Sequence, residues 1–133
     1  MKEQFVTYEI ALKLKYLGFD EECLGDYYII PSDKTPNPNG EFLGLKYEDV
    51  SSYTRLVSAS LWQQAIDWLR EKHNIHIVVS GKLIDSSEHK IYPWEIYGDF
   101  EELPGEPYEG LDKDYYRARE QAILKAIELC QKK

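Results

Sequence analysis

The stretch "LWQQAIDWLREKHNIHIVV", residues 61–79, constrains this chain most, because its hydrophobic period changes in the middle. Leu61, Ala65, Trp68 and Leu69 recur at helical spacing, with Trp62 and Ile66 widening the stripe. From Ile75 the spacing becomes two, with Ile75, Ile77 and Val79 on one side. Asn74 stands at the change, and Asn tolerates the left-handed conformation that ends a helix. A helix that runs straight into a strand requires a fold mixing both elements. At the other end, Ser60-Leu61-Trp62-Gln63 fits a capping box, with Ser60 as N-cap.

The rest of the chain supplies similar local signals. A first helix is expected over residues 8–17, capped by Thr7 and stopped by Gly18 and Phe19 in a Schellman turn. Strands are expected at 26–30 and 41–47, joined as a hairpin across the Pro- and Asn-rich loop 31–41. After a polar turn region, 80–90, comes the strand "IYPWEIYG". In it Tyr92, Trp94 and Ile96 share one face, with Pro93 and Tyr97 on the other. Pro93 cannot donate to a ladder, which marks an edge strand. Residues 99–114 read as an acidic loop. A last helix, 115–132, carries Ala118, Ala122 and Ala126 as a row of small residues beside Ile123, Ile127 and Cys130.

The expected order is α-β-β-α-β-β-α. That is an α+β fold with a mainly antiparallel four-stranded sheet and helices on one face. The 133 residues are enough for a single globular domain, and 43% hydrophobic residues are enough for a core.

The segments "TYEIALKLKYLGFDE", "LWQQAIDWLREKHNIHI" and "YYRAREQAILKAIEL" resemble a family of uncharacterised small proteins. Its members are encoded in the genomes, phages and prophages of Bacteroides-like bacteria. The resemblance spans the first helix and the last two-thirds of the chain. It implies a bacterial or phage setting, but no activity and no catalytic residue.

The residue pattern excludes more than it assigns. A net charge of −8, spread over both halves, argues against binding a phosphate backbone. No apolar run approaches a membrane span, and the N-terminal stretch has no secretory h-region, so a cytoplasmic protein is expected. Cys23 and Cys130 lie far apart without C-x-x-C spacing and read as small hydrophobes. His73 and His76 straddle Asn74, so they should diverge rather than share a metal. No metal and no cofactor are expected. Glu88-His89-Lys90 matches half of a nuclease-type carboxylate motif, but the preceding strand lacks the acidic residue that would complete it. The acidic loop has seven carboxylates without the alternation of a calcium-binding loop; it reads as a solvated loop or a docking surface for a basic partner. No P-loop, dinucleotide fingerprint, nucleophile elbow or zincin motif occurs.

Eleven tyrosines remain as the compositional oddity. Tyrosine has an apolar body and a polar tip, which suits surfaces that are intermittently covered. The expectation is therefore a non-catalytic interaction protein. Tyr92, Trp94 and Tyr97 are the candidate partner-binding residues, through which an edge strand meets a protein partner or a second copy. A small-molecule binder, or an enzyme without a recognisable motif, is the alternative.

Overall fold

A computed structural model describes residues 4–29, 40–43, 54–81, 83–84 and 90–132. Helix α1, Tyr8–Tyr16, begins where the Thr7 hydroxyl accepts from the Ile10 amide at 3.3 Å. It ends in a Schellman turn: Phe19 N donates to Leu14 O and Gly18 N to Lys15 O, both at 3.0 Å. Gly18 takes φ +103°, a region an L side chain enters at a cost, so the stop depends on glycine.

Strands β1 (Gly25–Ile29), β2 (Glu41–Leu43) and β3 (Thr54–Ala59) form an antiparallel sheet in the order β2-β1-β3. The β1–β2 hairpin is as expected, whereas β3 is an additional strand. Of the expected loop and second strand, residues 31–39 and 44–47 lie outside the described residues. Helix α1 packs on β3. The core here joins Val6, Ile10, Leu14 and Val57 to the aromatic group Phe5, Tyr27 and Phe42. Tyr27 is buried with its hydroxyl donating to Val6 O at 2.9 Å, so its polar tip is satisfied.

Helix α2, Trp62–His73, buries Trp62, Ala65, Trp68 and Leu69, the stripe read from the sequence. Its start differs from expectation. The helix begins two residues after Ser60, and the Ser60 hydroxyl is buried without a hydrogen-bond partner among the described residues. The Ser60 side of the capping box is not formed, because the Ser60 carbonyl is committed to Val6 N at 2.9 Å and Leu61 bridges to Phe5. Tertiary pairing holds this backbone in the folded state in place of the cap. The other end is as read: Asn74 has φ +52°, and the chain turns directly into β4, Ile75–Val79.

Strands β5 (Leu83–Ile84), β6 (Lys90–Gly98) and β7 (Glu109–Asp112) follow, then helix α3, Tyr115–Gln131. Asp114 caps α3, its side chain accepting from Tyr116 N at 2.8 Å. Strand β6 pairs antiparallel with β4 along residues 94–98, with β7 along 92–95 and with β5 at 90–91. Helix α3 lies across β4, β6 and β7, burying Ala118, Ala122, Ile123, Ala126 and Ile127.

The fold is thus α+β with two antiparallel sheets, not the single four-stranded sheet expected. The chain divides into two compact units, Met1–Ala65 and Ile66–Lys133.

The reading of residues 91–97 as an edge strand is also corrected. β6 has neighbours on both sides, at Trp94 and Glu95 simultaneously. In an antiparallel ladder a residue's N–H and C=O point to the same neighbour. The Pro93 carbonyl accepts from Ser80 N at 2.8 Å, so its missing N–H lies on the β4 side. That is just past the end of β4, in the gap before the β5 pairing at residues 90–91. A central strand tolerates proline here because no ladder bond is required of it.

Candidate functional site

Strand β6 sorts its side chains between two surfaces of the second sheet. Facing α3 are Tyr92, Trp94 and Ile96, with Ile77, Val79, Gly110 and Asp112 opposite them on the neighbouring strands. Trp94 is 8% exposed and Ile96 3%. The Trp94 indole donates to Gln121 Oε1 at 3.2 Å, and Gln121 Nε2 donates to Asp112 Oδ2 at 3.0 Å. Asp112 also accepts from the Asp114 amide at 2.9 Å and pairs with Arg117 at 3.2 Å. These contacts, led by the Asp114 amide, hold its carboxyl below the usual carboxylate range. A Cβ on Gly110 would stand 2.7 Å from the Trp94 ring, so β7 needs glycine there for the indole to lie flat. Tyr92 is half-buried, edge-on to Tyr115 at 5.7 Å.

The opposite surface is different. Tyr97 pairs with His76, Glu95 with Val78 on one side and Glu109 on the other, and Pro93 with Leu111. Tyr97 is 51% exposed and Leu111 63%. The Tyr97 and His76 rings stack, with centroids 5.2 Å apart and planes 3° from parallel. A hollow of about 480 Å³ is lined by Ser80, Pro93, Trp94, Glu95, Glu109, Gly110 and Leu111.

The three residues expected to bind a partner are therefore not brought together. Tyr97 stands on the open surface; Trp94 and Tyr92 belong to the α3 side. Leu111 and Glu109 join Tyr97 instead. Their strand was read as loop because "EGLD" is short, acidic and interrupted by glycine. The faint signal was the alternation of Tyr108, Gly110 and Asp112 with Glu109 and Leu111.

The other candidates resolve as follows. His73 meets Trp68 edge-on at 5.0 Å, whereas His76 Nε2 lies 3.2 Å from Asn74 Oδ1, so the two imidazoles diverge. Among the described residues no group of three or more His, Cys, Asp or Glu is gathered to hold a metal. Glu88 and His89 lie outside the described residues. Neither cysteine is in a disulfide. Burial, with Asp26 and Glu21 nearby, pushes the Cys23 thiol up to about 11, which leaves it protonated and a poor nucleophile.

A second hollow, of about 430 Å³, is lined by Asp99, Phe100, Glu101, Leu103, Tyr108, Leu129 and Lys132. Lys132 on its wall belongs to an ion-pair network. Lys125, nearly buried, reaches Glu106 at 2.6 Å and Glu128 at 3.4 Å, and Lys132 reaches Glu128 at 3.0 Å. The Lys125 hydrogen bond lowers the Glu106 pKa and raises that of Lys125. This network fastens the acidic loop to α3. No helix among the described residues is long and apolar enough to cross a membrane.

Compared with family models, curated proteins and solved structures, the chain matches none of them.

Proposed function

We propose that this chain is a small, non-catalytic interaction protein of the bacterial or phage cytoplasm, meeting a protein partner through the open face of the β4–β6–β7 sheet. One observation carries the reading. Tyr97 and Leu111, both large and half or more exposed, stand beside Pro93 on strands whose other face is packed by α3. An aromatic and an aliphatic anchor held on adjacent hydrogen-bonded strands present a preorganised surface, which lowers the ordering cost of association. Two cysteines outside any disulfide suit a reducing compartment, and the resemblance in the sequence supports the bacterial or phage setting.

The test is site-specific photo-crosslinking, with the photoreactive residue at position 97 and, as control, at Tyr16, which is 78% exposed in the other unit. The reading expects a discrete polypeptide crosslinked from position 97 only. After identification and purification, that polypeptide should bind the wild type and lose affinity by more than about 1 kcal/mol with Leu111→Ser, the scale of an interface anchor. Equal labelling from both positions, or unchanged affinity, contradicts the proposal.

A further inference from the structure

Resting on the reading of this face as a docking surface, we infer that its partner is a basic polypeptide segment, presenting Lys or Arg beside apolar side chains, and not a second copy of this chain. The register carries the inference. Glu95 and Glu109 are direct partners across β6 and β7, both exposed, on the outward face. Like charges placed directly opposite on a sheet repel and destabilise it. Among the described residues no cation lies within ion-pair distance of either. The neighbouring carboxylates behave otherwise: Asp112 has Arg117, and Glu106 has Lys125 and Lys132. Among the described residues the outward pair has no ion-pair partner.

Its surroundings fit one kind of occupant. Val78 flanks Glu95, the next rung is Pro93–Leu111, and Tyr97 lies two residues along β6. A Lys or Arg stem is apolar and can lie along Leu111, Pro93 or Val78 while its head enters between the carboxylates. Directly opposed side chains start about 5 Å apart, a span that a guanidinium fork bridges. The exposed Tyr97 ring offers a further face for cation–π contact. A second copy would do the reverse. A two-fold interface sets the same patch against itself, so four carboxylates would meet on a chain of net charge −8.

The experiment is panning of a random dodecapeptide library against the full chain at low ionic strength. Enriched peptides are then synthesised and titrated by fluorescence anisotropy, with sedimentation of the free protein alongside. The inference expects peptides with Lys or Arg next to apolar residues. Their affinity should fall about tenfold or more in both Glu95→Gln/Glu109→Gln and Tyr97→Ala. It should also weaken as salt rises, while the Gln pair melts no lower than wild type, because repulsion has been removed. A merely structural role for the glutamates would lower the melting temperature instead. Peptides without basic residues that require Tyr97 but tolerate the Gln pair would overturn the basic partner and leave the docking face standing. So would a dimer dissolved by Tyr97→Ala. Peptides indifferent to both Tyr97→Ala and Leu111→Ser would overturn the inference and the docking face together.

Discussion

The two faces of the β4–β6–β7 sheet are made by the same strands, yet they settle their polar groups in opposite ways. On the α3 side the polar groups around Trp94 are linked to one another: the Trp94 indole reaches Gln121, Gln121 reaches Asp112, and Asp112 reaches Arg117. On the outer side Glu95 opposes Glu109 without a cation among the described residues, and Tyr97 and Leu111 are exposed beside them. The outer face carries a repulsion and exposed apolar area that folding does not need, which is the expected mark of a site. Substitutions that compare the faces therefore separate stability from binding.

The largest effect is expected at the α3 side. Ile123 is fully buried, and Ile123→Ala should cost about 2–5 kcal/mol through lost transfer energy and a cavity, measured by urea denaturation. A midpoint unchanged from wild type would mean that the buried face has been misassigned. Gly110→Ala comes next. Its new Cβ would stand 2.7 Å from the Trp94 ring, so the indole must shift, at about 1–3 kcal/mol for overpacking. Near-UV circular dichroism should report the altered Trp94 environment.

Then comes the fastening of the acidic loop. Glu106, hydrogen-bonded to Lys125, has a folded pKa below its unfolded value. Its contribution is therefore present above the unfolded carboxylate pKa and lost as pH falls through the lower folded one, on the acid side of the ordinary glutamate range. Lys125 has a raised folded pKa, so its contribution is complete below its unfolded value and lost as pH rises through the folded value. Hydrogen exchange in the segment 99–108 should accelerate on acidification, and Lys125→Met should already be fast at neutral pH. If acidification leaves that segment unchanged, the network does not hold the loop. The smallest effect on stability belongs to the outer face: Tyr97→Ala and Leu111→Ser should each stay within about 0.5 kcal/mol, as exposed substitutions do. A larger loss at either would place that residue in the core.

What could be read in the sequence was local. The Schellman stop at Gly18, the turn at Asn74 and the alanine row of α3 each depend on residues within a few positions, and each forms as read. What escaped depends on distant partners. Ser60 was read as a cap, but its backbone is paired to Val6. Pro93 was read as an edge signal, yet it sits where β6 changes partner from β4 to β5. β7 pairs with β6 where Gly110 makes room for the Trp94 ring, a long-range fit that no property of "EGLD" announces. The candidate site inherited that error: the alternation along β6 separated Tyr97 from Trp94 correctly, but Leu111 and Glu109 were not seen beside it.

Oxidative footprinting of the free protein, read by mass spectrometry, tests the contrast between the faces most directly. The account predicts rapid modification of Tyr97 and Leu111 and protection of Trp94 and Ile96, although indole is the more reactive ring, with Tyr97 and Leu111 becoming protected once a partner binds. Protection of Tyr97 in the free protein, or oxidation of Trp94 at a comparable rate, would contradict it.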